Sequence, residues 1–234
     1  AFSHTIFKGI TMAVDRQVIC WKDHFDRAQV MTTTAGDGGW AIKKTGAGTP
    51  TYTTVSGGGV ALTLDNTSEA QIVTLYQKDI LPLALLNVKR ISFNAKVSGI
   101  DSVTTLVMGL ASAQNDTSDT VSLNAWFRMQ GSVSLTAVVT ETDDNVTNND
   151  DIATGATLAA VYKRFTIDFT RGLSDVRFYI DGAPVSTATT FAMGAIVSTD
   201  YVQPYVQIQK ASGTGVPAVT LRDLEIEYSV AVGA

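Results

Sequence analysis

Apolar and polar residues alternate at period two through the last third of the chain. Arg164-Phe165-Thr166-Ile167-Asp168-Phe169-Thr170 is one such run, and Asp175-Val176-Arg177-Phe178-Tyr179-Ile180 is a second. Tyr205-Val206-Gln207-Ile208-Gln209-Lys210 and Val219-Thr220-Leu221-Arg222-Asp223-Leu224-Glu225-Ile226-Glu227-Tyr228 follow. Side chains of an extended chain point to opposite faces in turn, so this pattern predicts half-buried strands. Asp181-Gly182 separates Ile180 from Ala183-Pro184-Val185, and Gly supplies the positive φ of a tight hairpin turn. Upstream, the segments 40–44, 60–64, 71–76 and 88–97 also read as strands. The segment 104–111 is more continuously apolar, which predicts a central strand buried on both faces. Segments 122–129 and 134–141 predict a hairpin around Gln130-Gly131. The polar stretch from Thr142 to Gly155 breaks the pattern and is expected to be a loop. The segment 80–86 leans towards helix, but Pro82 limits it to a short turn or an irregular crossover. The sum is about eleven to thirteen strands and an all-β sandwich.

Residues 1–24 stand apart. Phe2, Ile6, Phe7 and Ile10 head a series of apolar positions with no sustained period. The segment carries too much apolar surface for a free tail. It reads either as a strand or arm on its own domain, or as an arm that docks on a neighbouring subunit by strand addition. The domain proper is expected over residues 25–230, with a short tail at 231–234.

The chain has 234 residues, enough for one large sandwich with an extension. Hydrophobic residues make up 45% and charged residues 17%, a balance that favours a packed protein over a disordered one. Seventeen Lys and Arg face 22 Asp and Glu, for a net charge of −5, and no basic block is present. Nucleic acid is therefore not an expected partner. No apolar run reaches the roughly 18 residues of a membrane span. The first 25 residues hold His4, Lys8, Asp15 and Arg16 without an apolar core, so no signal peptide is expected. Cys20 is the only cysteine and suits a reducing compartment. Its nearest expectation is a small residue packed beside Trp21, not a nucleophile, because only His4 and His24 exist as bases.

Three features together resemble a known family. Asp23-His24-Phe25-Asp26 opens the domain; Trp40-Ala41-Ile42 leads to Gly57-Gly58-Gly59-Val60-Ala61-Leu62; and Val176-Arg177-Phe178-Tyr179-Ile180-Asp181-Gly182 precedes the closing strand. In this the chain resembles the concanavalin A-like jelly rolls of the LamG and legume-lectin type, over residues 25–229. The resemblance implies a sandwich of two antiparallel sheets with an N-terminal extension. In its Thr/Ser/Gly/Val-rich, cysteine-poor style it is similar to such proteins encoded by tailed bacteriophages. That likeness implies a non-enzymatic virion protein, a capsid decoration (cement) protein or a head or tail appendage. Its partners would be the major capsid protein or other virion subunits. It would form a dimer or trimer and reside in the virion, assembled in the host cytoplasm. The alternative is a carbohydrate-binding module or lectin that holds a surface glycan.

Candidate chemistry is sparse. The loop from Glu141 to Asp151 is rich in oxygen ligands, and calcium takes six to eight of these. Asp143, Asp144, Asp150 and Asp151 are the candidate ligands, against the plainer expectation of a solvated loop. No other cofactor is expected. Asp223, Glu225 and Glu227 share one strand face at period two. A retaining glycanase needs two carboxylates about 5–5.5 Å apart. Glycanases of family 16, which share this fold, carry an E-x-D-x-x-E strand that these acids do not match. They are expected on a solvated face, and no catalytic residue is assigned. Trp40 and Trp126 lie in strand patterns and are expected in the core.

Overall fold

A computed structural model describes residues 16–25, 39–80, 83–158 and 160–231. Among them are sixteen strands. In chain order these are β1 (Arg16–Asp23), β2 (Ala41–Gly46), β3 (Thr51–Thr54), β4 (Val60–Thr63), β5 (Gln71–Tyr76), β6 (Leu83–Ala84), β7 (Val88–Ser98) and β8 (Thr104–Ala111). The second half holds β9 (Leu123–Gln130), β10 (Ala137–Asp144), β11 (Asn148–Thr157), β12 (Lys163–Asp168), β13 (Arg177–Ile180), β14 (Ala183–Val185), β15 (Tyr201–Lys210) and β16 (Ala218–Ala231). They form two antiparallel sheets of eight strands each, packed as a sandwich. The first sheet runs β14-β13-β12-β7-β16-β4-β3, and β1 lies on β16 beside it. The second runs β11-β10-β9-β8-β15-β5-β2, with β6 against β15.

The alternating runs pack as their period requires. Phe165, Ile167, Phe178, Ile180, Ile226, Leu221 and Val219 turn inward from the first sheet, and Leu106, Met108, Phe127, Met129 and Ile208 meet them from the second. Phe127 joins the two layers. Its ring lies edge-on to Phe165 at 5.0 Å and to Phe178 at 5.3 Å. Phe93 stacks on Phe165 at 5.6 Å, and Phe191 closes on Phe178 at 4.8 Å. Edge-to-face and offset pairs at such distances add to the burial of the rings themselves.

Turn chemistry follows the sequence where it was specific. Asp181 and Gly182 both adopt positive φ, at 51° and 80°, and join β13 to β14 as a two-residue hairpin turn. Asp181 also accepts the Arg164 backbone N–H at 2.8 Å, which ties the turn to β12. β8 is central and buried, between β9 and β15, and β9 pairs with β10 as the expected hairpin.

Two expectations are corrected, the loop at 142–155 and the packing of Cys20. The stretch 142–155 is not a loop: β10 extends to Asp144, a turn at Asn145 (φ 68°) reverses the chain, and β11 returns. β11 is an edge strand with solvent at most positions, so it never needed an apolar period. Of the two readings of residues 1–24, the described part takes the first: β1 is a strand of its own sandwich. β1 pairs residue for residue with the end of β16, from Arg16↔Ala231 to Asp23↔Leu224. Cys20 is not packed beside Trp21. Strand alternation turns Trp21 inward against Trp40, at 6.1 Å, and Cys20 outward, where its thiol donates to Glu225 at 3.3 Å. Phe2, Ile6, Phe7 and Ile10 lie outside the described residues.

Asp23 locks the start of the domain. Its Oδ1 accepts the Phe25 backbone N–H and its Oδ2 the Trp40 indole N–H, each at 2.8 Å. Among the described residues no helix is long and apolar enough to cross a membrane.

The aromatic contacts of Phe127 predict the cost of removing it. Phe127→Ala is expected to destabilise the fold by about 3–5 kcal/mol, read as a fall in the denaturant midpoint. A loss under about 1 kcal/mol would show that the two sheets are held elsewhere.

Candidate functional site

β9 turns Phe127 inward, so its neighbours Trp126 and Arg128 point out of the sandwich. Both are nonetheless buried. The segment 112–122, between β8 and β9, folds back over this outer face as a strap. Trp126 and Tyr205 stack beneath it with ring centres 6.2 Å apart. Gly109 lies between them in register, and a Cβ there would meet the Ala125 carbonyl at 2.3 Å and the Trp126 Cα at 2.7 Å. The absence of a side chain at Gly109 is what lets the two rings meet across β8. Ala41, Tyr76, Val107, Ala111 and Val121 complete this second apolar layer.

Polar bonds pin the strap. The Asn115 carbonyl accepts from the Tyr205 hydroxyl at 3.1 Å and from the Gln207 amide at 2.7 Å. Lys43 donates to Gln114 at 2.8 Å and pairs with Asp116 at 3.0 Å. Arg128 reaches Asp119 of the strap at 2.9 Å and Glu141 of β10 at 2.8 Å. Glu141 also accepts the Trp126 indole N–H at 2.5 Å. Burial pushes the Glu141 carboxyl up to about 7, against the opposing pull of Trp126 and Arg128. Burial likewise pushes the Tyr205 hydroxyl well above its ordinary range. Asn124 Oδ1, Arg128 Nε and Gln207 Oε1 are buried on this face with no hydrogen-bond partner among the described residues. The sequence pointed to Trp126 as a core residue, and it is buried, in the second apolar layer on the outer face of its sheet. Arg128 and Glu141 were legible only as outward positions of two strands, and no signal marked them as a pair.

The outer face of the first sheet is built differently. Glu225 pairs with Lys22 and Arg164, each at 3.3 Å, and Glu227 with Arg90 at 3.4 Å. Asp223 takes His24 at 2.7 Å and Asn94 at 2.9 Å. Asp223 has φ 52° at a bulge where the register of β16 on β7 shifts. The extra residue keeps Leu221 and Leu224 both inward. The three acids therefore share a face, as expected, but each is held by a cation or an amide on a neighbouring strand. Cys20 belongs to the same face. Burial and the adjoining Glu225 both raise its thiol, which disfavours the nucleophilic thiolate.

The calcium candidates hold the hairpin between β10 and β11. Asp143 accepts the Asn145 N–H at 2.7 Å, and Asp144 accepts those of Val146, Thr147 and Ala195. Asp150 takes the Asn148 amide at 2.8 Å, and Asp151 lies 3.9 Å from Arg128. Among the described residues no group of three or more His, Cys, Asp or Glu is placed to hold a metal ion.

Similarity to known structures is a similarity of fold. A protein of unknown function from Shewanella oneidensis MR-1 aligns with a TM-score of 0.60 at 10% identity, over 96% of this chain and 92% of that one. The binding domain of botulinum neurotoxin DC aligns at 0.47 and 14% identity, over 85% of this chain and 47% of that one. A conserved carbohydrate esterase from Shiga toxin-encoding bacteriophage phi24B aligns at 0.46 and 15% identity, over 81% and 90%. No family profile and no curated protein sequence matches the chain.

The Glu141 carboxyl sets a pH dependence. Unfolded, it ionises near 4.5; folded, near 7. The native state thus holds its proton more tightly, so this contribution to stability is full below the lower value and is lost as pH rises towards about 7. Glu141→Gln is expected to flatten the fall in thermal midpoint across that window. Equal slopes in the two proteins would show that another group carries the proton.

Proposed function

We propose that this chain is a non-enzymatic structural protein of a virus particle, a capsid decoration or appendage subunit. It acts through its N-terminal segment and the adjoining sheet edge. The observation that carries this reading is the docking of β1. Among the described residues no strand lies beyond it, and Val18 and Ile19 are exposed on it. An added strand with an open edge is the ordinary means of joining one β-protein to another.

Two further features support adhesion over chemistry. The acids of the first sheet are held in cross-strand pairs. On the second sheet Glu141 is enclosed by Trp126, Arg128 and the strap. A lectin reading would need an exposed aromatic platform, and Trp126 and Tyr205 are fully covered. Repetition on a symmetric shell makes modest contacts effectively strong. The partners proposed are the major capsid protein or other virion subunits.

Co-sedimentation with intact particles of the source lysate tests the reading. The full chain is expected to comigrate in stoichiometric amount, and a chain lacking residues 1–15 to remain soluble. Recovery of the full chain only in soluble fractions would overturn the virion role. Normal comigration of the truncated chain would remove the N-terminal segment from the mechanism.

A further inference from the structure

One end of the sandwich carries the turn at Asn145 and the loop before β15. Between them lies a cavity of about 360 Å³. Two carboxylates build its wall. Asp144 holds the Val146 N–H at 3.1 Å and the Ala195 N–H at 2.9 Å, and Asp200 holds the Val197 N–H at 2.7 Å. Each bond fixes a residue of the rim, so Val146 and Val197 stand 79% and 55% exposed while Ile196 is buried beside them. Burial works against the Asp144 charge, but its backbone N–H bonds outweigh that and lower its pKa. An apolar rim over acidic walls suits a basic side chain flanked by apolar ones.

The chain contains such a stretch in Ile6-Phe7-Lys8-Gly9-Ile10. The start of β1 lies at the same end as the cavity. Arg16 pairs with Ala231, the Ser229 hydroxyl donates to the Asn87 carbonyl at 3.4 Å, and the Leu85 N–H donates to the Asp200 carbonyl at 3.0 Å. β1 runs from this end into the sheet, so Arg16 stands at this end. Seven residues lie between Lys8 and Arg16, and a stretch of that length can span at most about 25 Å. Two copies that meet at this end about a two-fold axis would each offer the stretch to the other's cavity. Such a contact is self-complementary and closes as a dimer.

We propose that this cavity receives Ile6-Phe7-Lys8 of a second copy of the chain. Lys8 is set against Asp144 and Asp200, and Phe7 against Val146 and Val197. The inference rests on the assembly reading above and gives it a first partner.

Sedimentation velocity of the full chain tests it. A two-chain species is expected at tens of micromolar. Val197→Arg changes an exposed position, so the fold survives, but it puts bulk and positive charge at the rim. It is expected to weaken association at least about tenfold. Lys8→Glu should do the same, and Asp200→Lys added to Lys8→Glu should recover part of the loss. A fluorescent peptide of residues 1–15 should bind the chain that lacks them and fail to bind its Val197→Arg form. A full chain that is monomeric at every concentration overturns the exchange. So does a dimer indifferent to both Val197→Arg and Lys8→Glu. The particle experiment is separate: a chain that comigrates with particles yet never dimerises overturns this inference alone.

Discussion

The inward turn of Phe127 governs more of this molecule than the core it fills. Its ring bridges the sheets through Phe165 and Phe178. Because strand side chains alternate, fixing Phe127 inside fixes Trp126 and Arg128 outside. An indole and a guanidinium flanked by Tyr205 make a face that is half apolar and half charged. The strap answers both needs. Val121 covers rings, Asp119 meets Arg128, and the Asn115 carbonyl takes the Tyr205 hydroxyl. One aromatic contact in the centre thus determines what must lie on the outside of the second sheet.

The two outer faces solve the same problem in opposite ways. The first sheet stays open and is laced by ion pairs across its strands, each of small value at the surface. The second sheet is closed, and its central ion pair between Arg128 and Glu141 is buried. A buried pair gains from low dielectric but loses hydration, and removing one partner leaves the other stranded. Trp126 and Asp119 supply the additional partners that make the pair tolerable there. Glu141 still bears the mark of its burial in a carboxyl that titrates near neutrality, at about 7.

The sequence disclosed what obeyed a local period and concealed what depended on cover. β12, β13 and β16 alternate cleanly because one face meets the core, and Asp181-Gly182 names its own turn. β11 alternates nothing useful, since an edge strand with solvent at most positions needs no apolar face. Its Asn and Asp residues read as loop. β1 was hidden for a different reason. Its apolar positions, Val18, Ile19 and Trp21, do not keep period two, because one of its faces meets solvent and its pairing with β16 is non-local. The strap was illegible in principle. Ser112 to Ser122 is almost wholly polar, yet it buries two of the largest rings in the chain. Nothing in a polar loop announces that it will fold back across a sheet.

These features narrow where another molecule can hold this one. Ion pairs occupy the open face, and the strap occupies the closed one. Edges remain, and most are blunted. β3 has four residues, and β14 has three with Pro184 among them, while β11 carries Asp150 and Asp151. Short, proline-bearing or charged edges are the usual protection against unwanted pairing. β1 is less guarded: its charges sit towards its two ends, and Val18 and Ile19 are exposed between them. At the end of the sandwich where β1 begins, Val146, Val197 and Tyr201 are also exposed. Apolar surface left at one edge and one end, on a molecule that guards its other sides, marks the direction in which assembly costs least hydration and returns most burial.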